Sequence, residues 1–265
     1  MVKVWDAFMF GGELDMLECR LTELDGTPIY RHILVEAPWD HHGRPKPLHY
    51  AENRQRFAPW ADRIVHITAG PDDGNQMHPW AREHIQRSFT WEGLGKAGAS
   101  KDDTVLICDV DEIPSVAAVT CHPAPFVSLK MRMAAYAVDW LADVPWRGAV
   151  AARAGSVACF TTARDRRAAY PVLDGGGWHF TWLGGPDAIR AKALVSCDIG
   201  TSDGADRWYR DGVAGAVAHA GVYELTPVDV DESWPRWIYQ RKCPPMWFRP
   251  RRSGQSYPTC ESSRL

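Results

Sequence analysis

The first 110 residues alternate short apolar segments with helical stretches, and this alternation restricts the fold more than any other feature of the chain. The segments KVWDAFMF, YRHILVEA, DRIVHIT and DTVLICDV are typical of strands. Between the first two, leucines recur every three or four residues in ELDMLECRLTEL, which predicts an amphipathic helix. Strands that alternate with helices form parallel sheets covered by helices. The sequence therefore predicts an α/β fold with a Rossmann-like, mostly parallel central sheet and helices on both faces.

After Pro125 the alternation stops. FVSLKMRMAAYAVDWL and RGAVAARAGSVACF predict strands without an intervening helix, and therefore an antiparallel addition to the sheet in the C-terminal half. PVLDGGGWHFTWLGGP, residues 171–186, predicts a glycine-rich loop that could close as a lid, and PDAIRAKALVS predicts a helix. We expect a single domain over residues 1–242, divided into halves at residues 1–120 and 121–242. Residues 243–265 are rich in Pro, Arg and Ser and predict a flexible tail.

Composition excludes several classes of protein. A length of 265 residues suits one large domain, and a net charge of -3 does not favour a nucleic-acid partner. Seven scattered cysteines without a CxxC pair indicate neither a disulfide framework nor a zinc site. The N-terminus does not resemble a signal peptide and no apolar run could span a membrane, so we expect a cytoplasmic protein. Thirteen tryptophans favour a ring-shaped ligand such as a sugar.

Three carboxylates follow the fourth predicted strand in VLICDVDEIPS: Asp109, Asp111 and Glu112. Ligands of open parallel sheets gather at the carboxyl ends of the strands. Two acidic side chains on a turn suit Mg²⁺ or Mn²⁺, with water and phosphate oxygens completing the coordination. The alternative is an acidic cap before a helix that begins at Pro114.

Four blocks of the sequence together resemble glycosyltransferase family 17. They are AFMFGGELDMLECRLTEL, VEAPWDHHGRPKPLHY, DVDEIP, and GGWHFTWLGG followed by IRAK, and they span about residues 4–195. The resemblance implies a GT-A fold, Mn²⁺ or Mg²⁺, and inverting transfer of GlcNAc or a related hexose from a UDP-sugar to a glycan or other hydroxyl acceptor. It also implies that residues 1–120 bind the nucleotide sugar and that residues 121–242 face the acceptor. The pattern is not followed clearly after Lys192.

The resemblance implies that Asp109 and Asp111 bind the cation that bridges the donor's diphosphate. Such a cation would neutralise the charge that builds on the leaving diphosphate. His179, between Trp178 and Phe180, is a candidate nitrogen ligand of the metal or a diphosphate contact. Trp178 and Trp182 are candidates for stacking on sugar, and core packing is the alternative role for these aromatic side chains.

Further candidate contacts with the donor come from two regions. In GT-A folds the loop after the first strand meets the nucleotide, and its candidate residues here are Phe10, Gly11, Gly12 and Glu13. Basic side chains that could contact the diphosphate are Lys46, Arg82 and Arg87. For the two arginines, which share a predicted helix with Glu83 and Gln86, the alternative is a solvated charged face.

An inverting reaction needs a base near the acceptor hydroxyl. Glu112 is the favoured candidate and Glu36 a weaker one, while Asp139 and Asp143 lie in the acceptor half. Two other functions stay open at this point. A metal-dependent phosphohydrolase or nucleotidyltransferase also uses strand-end aspartates but needs carboxylates for a second metal. A non-catalytic carbohydrate-binding protein would bind sugar through tryptophans and ignore nucleotide and metal.

Overall fold

The computed structural model describes residues 2–70, 77–121, 125–207 and 224–249. Its strands are β1 (Val4–Phe10), β2 (Ile29–Glu36), β3 (Ile64–Thr68), β4 (Thr104–Asp109), β5 (Glu112–Pro114), β6 (Phe126–Ala135), β7 (Trp140–Ala142), β8 (Val150–Arg153), β9 (Val172–Thr181) and β10 (Leu225–Pro227). Its helices are α1 (Leu14–Leu24), α2 (His49–Glu52), α3 (Pro79–Ser88), α4 (Thr90–Lys96), α5 (Val116–Thr120), α6 (Phe160–Asp165), α7 (Gly185–Val195) and α8 (Arg236–Tyr239). Short 3-10 segments cover Arg54–Arg63, Ala154–Ser156, Arg166–Ala169 and Pro245–Trp247.

The described strands form one mixed sheet in the order β10-β7-β6-β8-β4-β1-β2-β3, with β9 pairing with both β6 and β5. The parallel unit predicted for the first half is present, because β1 pairs in parallel with β2 and β4, and β2 with β3. Strand β8 runs antiparallel to β4 and β6, and β7 runs antiparallel to β6 and β10. The expectation of a mostly parallel sheet is therefore wrong. The short connections between β6, β7 and β8 contain no crossover helix, which a parallel pairing of these strands would require.

Helices cover both faces of the sheet, as predicted. Along β1, Phe8 and Phe10 pack on the face covered by α1, whereas Trp5 and Ala7 pack on the face covered by α4 and α6. This alternation follows from the two-residue period of a strand. Among the described residues, no helix combines the length and the apolar composition needed to cross a bilayer.

Residues 172–181 form a strand, so the glycine-rich loop and lid expected over this segment are wrong. Strand β9 pairs antiparallel with β5 and parallel with β6. Gly177 has φ +130°, and a Cβ at this position would lie 2.1 Å from the carbonyl oxygen of Ile113. A Cβ on Gly176 would lie 2.8 Å from the Leu129 side chain. These glycines thus permit close approach between strands.

The expected flexible tail does not begin at residue 243. Cys243 and Trp247 are buried members of the main hydrophobic core, and the Trp247 ring lies 5.5 Å from the ring of Trp237. Apolar side chains of this size stabilise the fold when they are removed from water, which explains why the segment packs in spite of its composition. Residues 250–265 of the expected tail lie outside the described part of the chain.

Candidate active site

Asp109 ends β4 and is clamped by two arginines. Arg87 of α3 donates to Asp109 Oδ1 at 3.0 Å, and Arg164 of α6 donates to Oδ2 at 2.8 Å. Burial by itself would raise the pKa of Asp109, but the two guanidinium groups outweigh it and lower the pKa. Asp109 is therefore an ionised carboxylate whose two oxygens both accept hydrogen bonds from protein cations.

Asp111 lies in the turn between β4 and β5 and is 7% exposed. Lys192 Nζ of α7 lies 2.8 Å from Asp111 Oδ2, and His179 Nε2 of β9 lies 3.7 Å from Oδ1. Burial alone would raise the pKa of Asp111, but Lys192 and His179 outweigh it and hold the pKa far below its usual range. The pairing of Glu112 with His179 in the β5–β9 ladder brings these distant segments of the chain together.

His179 faces Asp111 and is held by an aromatic contact. Its ring stacks on Trp146 with centroids 4.5 Å apart and an interplanar angle of 28°. The imidazole is 7% exposed, and its buried Nδ1 has no hydrogen-bond partner in the described part of the chain. The 3.7 Å to Asp111 Oδ1 is longer than a hydrogen bond. Two potential ligand atoms thus face each other across a gap.

Trp178 lies on the opposite face of β9 from His179, because neighbouring side chains of a strand alternate. Its ring packs 4.5 Å from the ring of Trp234, with the Arg132 guanidinium 4.1 Å from its centroid. The predicted contact of Trp178 with sugar at the Asp111 site is therefore wrong. Trp182 is closer to that site, since Lys192 Nζ lies 5.7 Å from the centroid of its ring.

Glu112 is fully buried and both of its oxygens are engaged. Oε2 accepts from Arg164 Nη1 at 2.6 Å and from the backbone N–H of Asp109 at 2.7 Å, and Oε1 accepts from Trp146 Nε1 at 2.6 Å. A base must reach the acceptor hydroxyl and accept its proton. The geometry contradicts the role of base predicted for Glu112, whose carboxylate instead fixes Arg164 and Trp146.

Glu36, the weaker candidate for the base, is also fully buried. Its carboxylate accepts from the backbone N–H groups of Tyr50 at 3.3 Å and Ala51 at 3.2 Å, and His66 Nε2 lies 2.9 Å away. Glu36 thus anchors the start of α2 to the end of β2. In the acceptor half, Asp139 Oδ2 accepts a hydrogen bond from Arg249 Nε at 2.9 Å and so contacts the last described residue.

The loop after β1 contributes Glu13 to the mouth of the site. Glu13 Oε1 lies 4.0 Å from Lys192 Nζ, and Oε2 accepts from the Gly11 N–H at 3.1 Å. Gly12 has φ +131°, and a Cβ there would lie 2.7 Å from a histidine ring of α2. Phe10, in contrast, is fully buried in the core, so its predicted contact with the nucleotide base is wrong.

The basic candidates have different surroundings. Arg82 and Arg87 are both buried, so the alternative of a solvated helix face is wrong for them. Arg87 contacts Asp109, whereas Arg82 Nη1 donates to the carbonyl of Met77 at 2.7 Å. Lys46 Nζ is buried without a hydrogen-bond partner among the described residues, and burial lowers the pKa of this amine. The predicted contact of Lys46 with the diphosphate therefore stays a prediction.

Arg20 binds the backbone of the acidic turn, a role that the sequence analysis did not predict. This fully buried side chain pairs with Asp6 of β1 and donates to the carbonyl oxygens of Asp109 at 3.2 Å and Glu112 at 2.5 Å. Two features of the sequence indicated this pair. Arg20 lies on the apolar face of α1, three residues after Leu17, and Asp6 lies within an apolar strand. Trp146 and Arg164 were also missed and carry no such signal, and no role was predicted for Lys192, although it ends the IRAK block.

Asp111 and His179 are the two side chains of this site that could serve as ligands of a divalent cation. Within residues 2–70, 77–121, 125–207 and 224–249, no three or more His, Cys, Asp or Glu side chains are grouped to hold a metal. Asp111 Oδ1 and His179 Nε2, 3.7 Å apart, leave room for an ion with ligand distances of about 2.1 Å. Asp109 does not offer a free oxygen, because both are bound by arginine.

One similar solved structure is the apo-form glycosyltransferase GlyE of Streptococcus pneumoniae TIGR4, with 13% identity and a TM-score of 0.28. The match covers 63% of this chain and 37% of that chain, so the present chain matches well under half the length of that protein. No curated protein matches the chain.

The model of glycosyltransferase family 17 matches residues 1–183, which include β1 to β9 and therefore Asp109, Asp111 and His179. The match covers well over half of the chain and confirms the resemblance of its sequence blocks. The chain belongs to glycosyltransferase family 17.

Proposed function

We propose that the chain transfers a sugar from a UDP-sugar to a hydroxyl acceptor, with the diphosphate of the donor bound beside Asp111. The observation that carries the proposal is the facing pair of Asp111 Oδ1 and His179 Nε2, 3.7 Å apart at the carboxyl end of β4. Family membership supports the reaction class. The parallel β4-β1-β2-β3 unit, with its acidic turn at the strand end, supports a GT-A type of donor site.

Asp111 and His179 would hold Mn²⁺ or Mg²⁺, and diphosphate oxygens and water would supply the other ligands. An imidazole ligand favours Mn²⁺, because Mg²⁺ prefers oxygen. When bound, the cation would neutralise the charge of the leaving diphosphate.

The remaining residues of the site keep these two side chains in place. Arg164 joins Asp109 to Glu112, and Glu112 in turn accepts from the Trp146 indole that stacks on His179. Each of these side chains is held by at least two contacts, so the site is organised before a ligand arrives. Preorganised polar groups stabilise developing charge without having to rearrange during the reaction.

In the transfer step, the bond between the anomeric carbon and the diphosphate oxygen breaks, and its electron pair leaves with the diphosphate. The acceptor oxygen forms the new bond to the anomeric carbon from the opposite face, and its proton passes to a base or to water. A single displacement of this kind inverts the anomeric configuration. For the transferred sugar we propose GlcNAc or a related hexose, as the family resemblance implies.

Calorimetric titration with UDP in the presence and absence of Mn²⁺ tests this proposal. Asp111→Asn and His179→Ala should each weaken Mn²⁺-dependent binding of UDP by about tenfold or more, because each removes a ligand of the cation. Asp102→Asn is a matched control, since Asp102 is an exposed acid in the turn before β4. Unchanged UDP affinity in Asp111→Asn would contradict the assignment. Binding of sugar without any response to UDP or Mn²⁺ would instead identify a carbohydrate-binding protein.

A further inference from the structure

Lys192 is a cation at the mouth of the proposed donor site, and it lies beyond residues 1–183 that match the family model. Its Nζ is 2.8 Å from Asp111 Oδ2 and 4.0 Å from Glu13 Oε1. Its side chain is 29% exposed, compared with 5% for Arg87 and 10% for Arg164. Lys192 is thus the outermost of these three cations around the acidic turn.

Helix α7 has contacts with the rest of the protein besides the ion pair between Lys192 and Asp111. The Arg44 guanidinium donates to the carbonyl of Leu194 in the last turn of the helix and, beyond the helix, to that of Gly200 at 3.3 Å. His42 Nε2 lies 2.7 Å from the carbonyl oxygen of Ser196. The loop before α2 thus contacts this segment independently of Lys192.

The ammonium group of Lys192 retains donor capacity. It carries three N–H bonds, and Asp111 Oδ2 accepts one of them. Glu13 Oε1 at 4.0 Å is beyond hydrogen-bond distance. A diphosphate that approaches Asp111 meets negative charge from both Asp111 and Glu13, and the positive charge of Lys192 lies between them. This arrangement suits an anionic ligand that arrives from solvent.

We propose that Lys192 Nζ donates a hydrogen bond to the diphosphate of the donor nucleotide. Lys192 keeps its proton throughout and stabilises the negative charge that the diphosphate gains as the glycosidic bond breaks. This inference rests on the proposed function and names a further residue of the same site. In the free protein, Lys192 neutralises the buried charge of Asp111 before any ligand is bound.

Titration calorimetry with UDP and with uridine, each with and without Mn²⁺, tests the role of Lys192. Lys192→Gln should weaken UDP binding by about tenfold or more, the loss expected for a hydrogen bond between charged groups. Its affinity for uridine, which has no phosphate, should stay within about twofold of the wild type. Lys192→Arg should retain most of the UDP affinity, because it keeps the charge and the donors.

Arg190→Gln is the matched control on α7, because Arg190 Nε pairs with Asp206 at 2.8 Å, away from Asp111. It should bind UDP like the wild type. A Lys192→Gln variant with lower thermal stability and unchanged UDP affinity would overturn the inference and identify a structural ion pair. Equal losses for UDP and uridine would also overturn it, since Lys192 would then contact the nucleoside. Failure of the wild type to bind UDP at all would instead reject the proposed function.

Discussion

Replacement of Arg20 with methionine would leave a buried carboxylate without its main counter-ion. Arg20 and Asp6 are both fully buried, and the guanidinium binds both Asp6 oxygens. It also satisfies the carbonyl oxygens of Asp109 at 3.2 Å, Val110 at 3.3 Å and Glu112 at 2.5 Å. Breaking a buried ion pair from one side destabilises a protein by about 3–5 kcal/mol. For a chain of this size, that loss corresponds to a decrease in Tm of roughly 10 °C.

The pH dependence of this loss separates the ion pair from simple packing. Burial would raise the pKa of Asp6, but Arg20 and His32 outweigh it and lower the pKa from 3.8 to about 2. A lowered folded-state pKa stabilises the wild type above pH 4 by roughly 2 kcal/mol, and this contribution is lost as the pH falls from about 4 to 2. Without Arg20, burial raises the pKa of Asp6. Protonation of Asp6 therefore removes the cost of its buried negative charge in the variant as the pH falls. The difference in the free energy of unfolding between the wild type and Arg20→Met should therefore become smaller in acid.

Urea denaturation at several values between pH 7 and pH 3.5 measures this difference directly. Arg56→Met is a suitable control, because Arg56 contacts Asp15 at 2.5 Å and Glu18 at 2.6 Å on the exposed side of α1. That surface substitution should change the free energy of unfolding by less than about 1 kcal/mol. A loss in Arg20→Met as small as that of the control, or one that does not narrow in acid, would refute the reasoning.

Two further predictions follow from the space around Gly148 and from the exposure of Cys159. A Cβ on Gly148 would lie 2.0 Å from Glu112 Oε1 and 2.1 Å from Trp146 Nε1. Gly148→Ala should therefore destabilise the protein by about 2–3 kcal/mol in urea denaturation. Gly95→Ala, where α4 leaves open space for a Cβ, should be neutral or slightly stabilising. Equal effects of the two substitutions would contradict this prediction. Cys159 is exposed, and hydrogen bonds with Thr162 lower the pKa of its thiol. Iodoacetamide at neutral pH should therefore label Cys159 before the other described cysteines, which mass spectrometry of peptides can follow. Faster labelling of a buried cysteine would count against the fold around it.

Local patterns in the sequence predicted the strands and the first helix of the N-terminal half of the fold. Leucine spacing predicted α1, and the apolar segments predicted β1 to β4 and their parallel pairing, because strand and helix periods are visible over a few residues. The helix PDAIRAKALVS is also present as α7. The glycine run in 171–186 was misleading, since the same lack of a Cβ permits either a loop or close packing between strands.

The acidic turn after β4 and the proximity of His179 to it were predicted from sequence blocks, but the electrostatic partners of the turn were not. Arg87, Arg164 and Lys192 come from three different helices, and their contacts with the carboxylates depend on how these helices pack on the sheet. The burial of Glu112, which excludes it as a base, depends in the same way on its contacts with distant residues. A local pattern specifies which residues are charged and where strands end. Only the packing of distant segments decides which charges meet, because the Coulomb energy depends on distances in space and on burial.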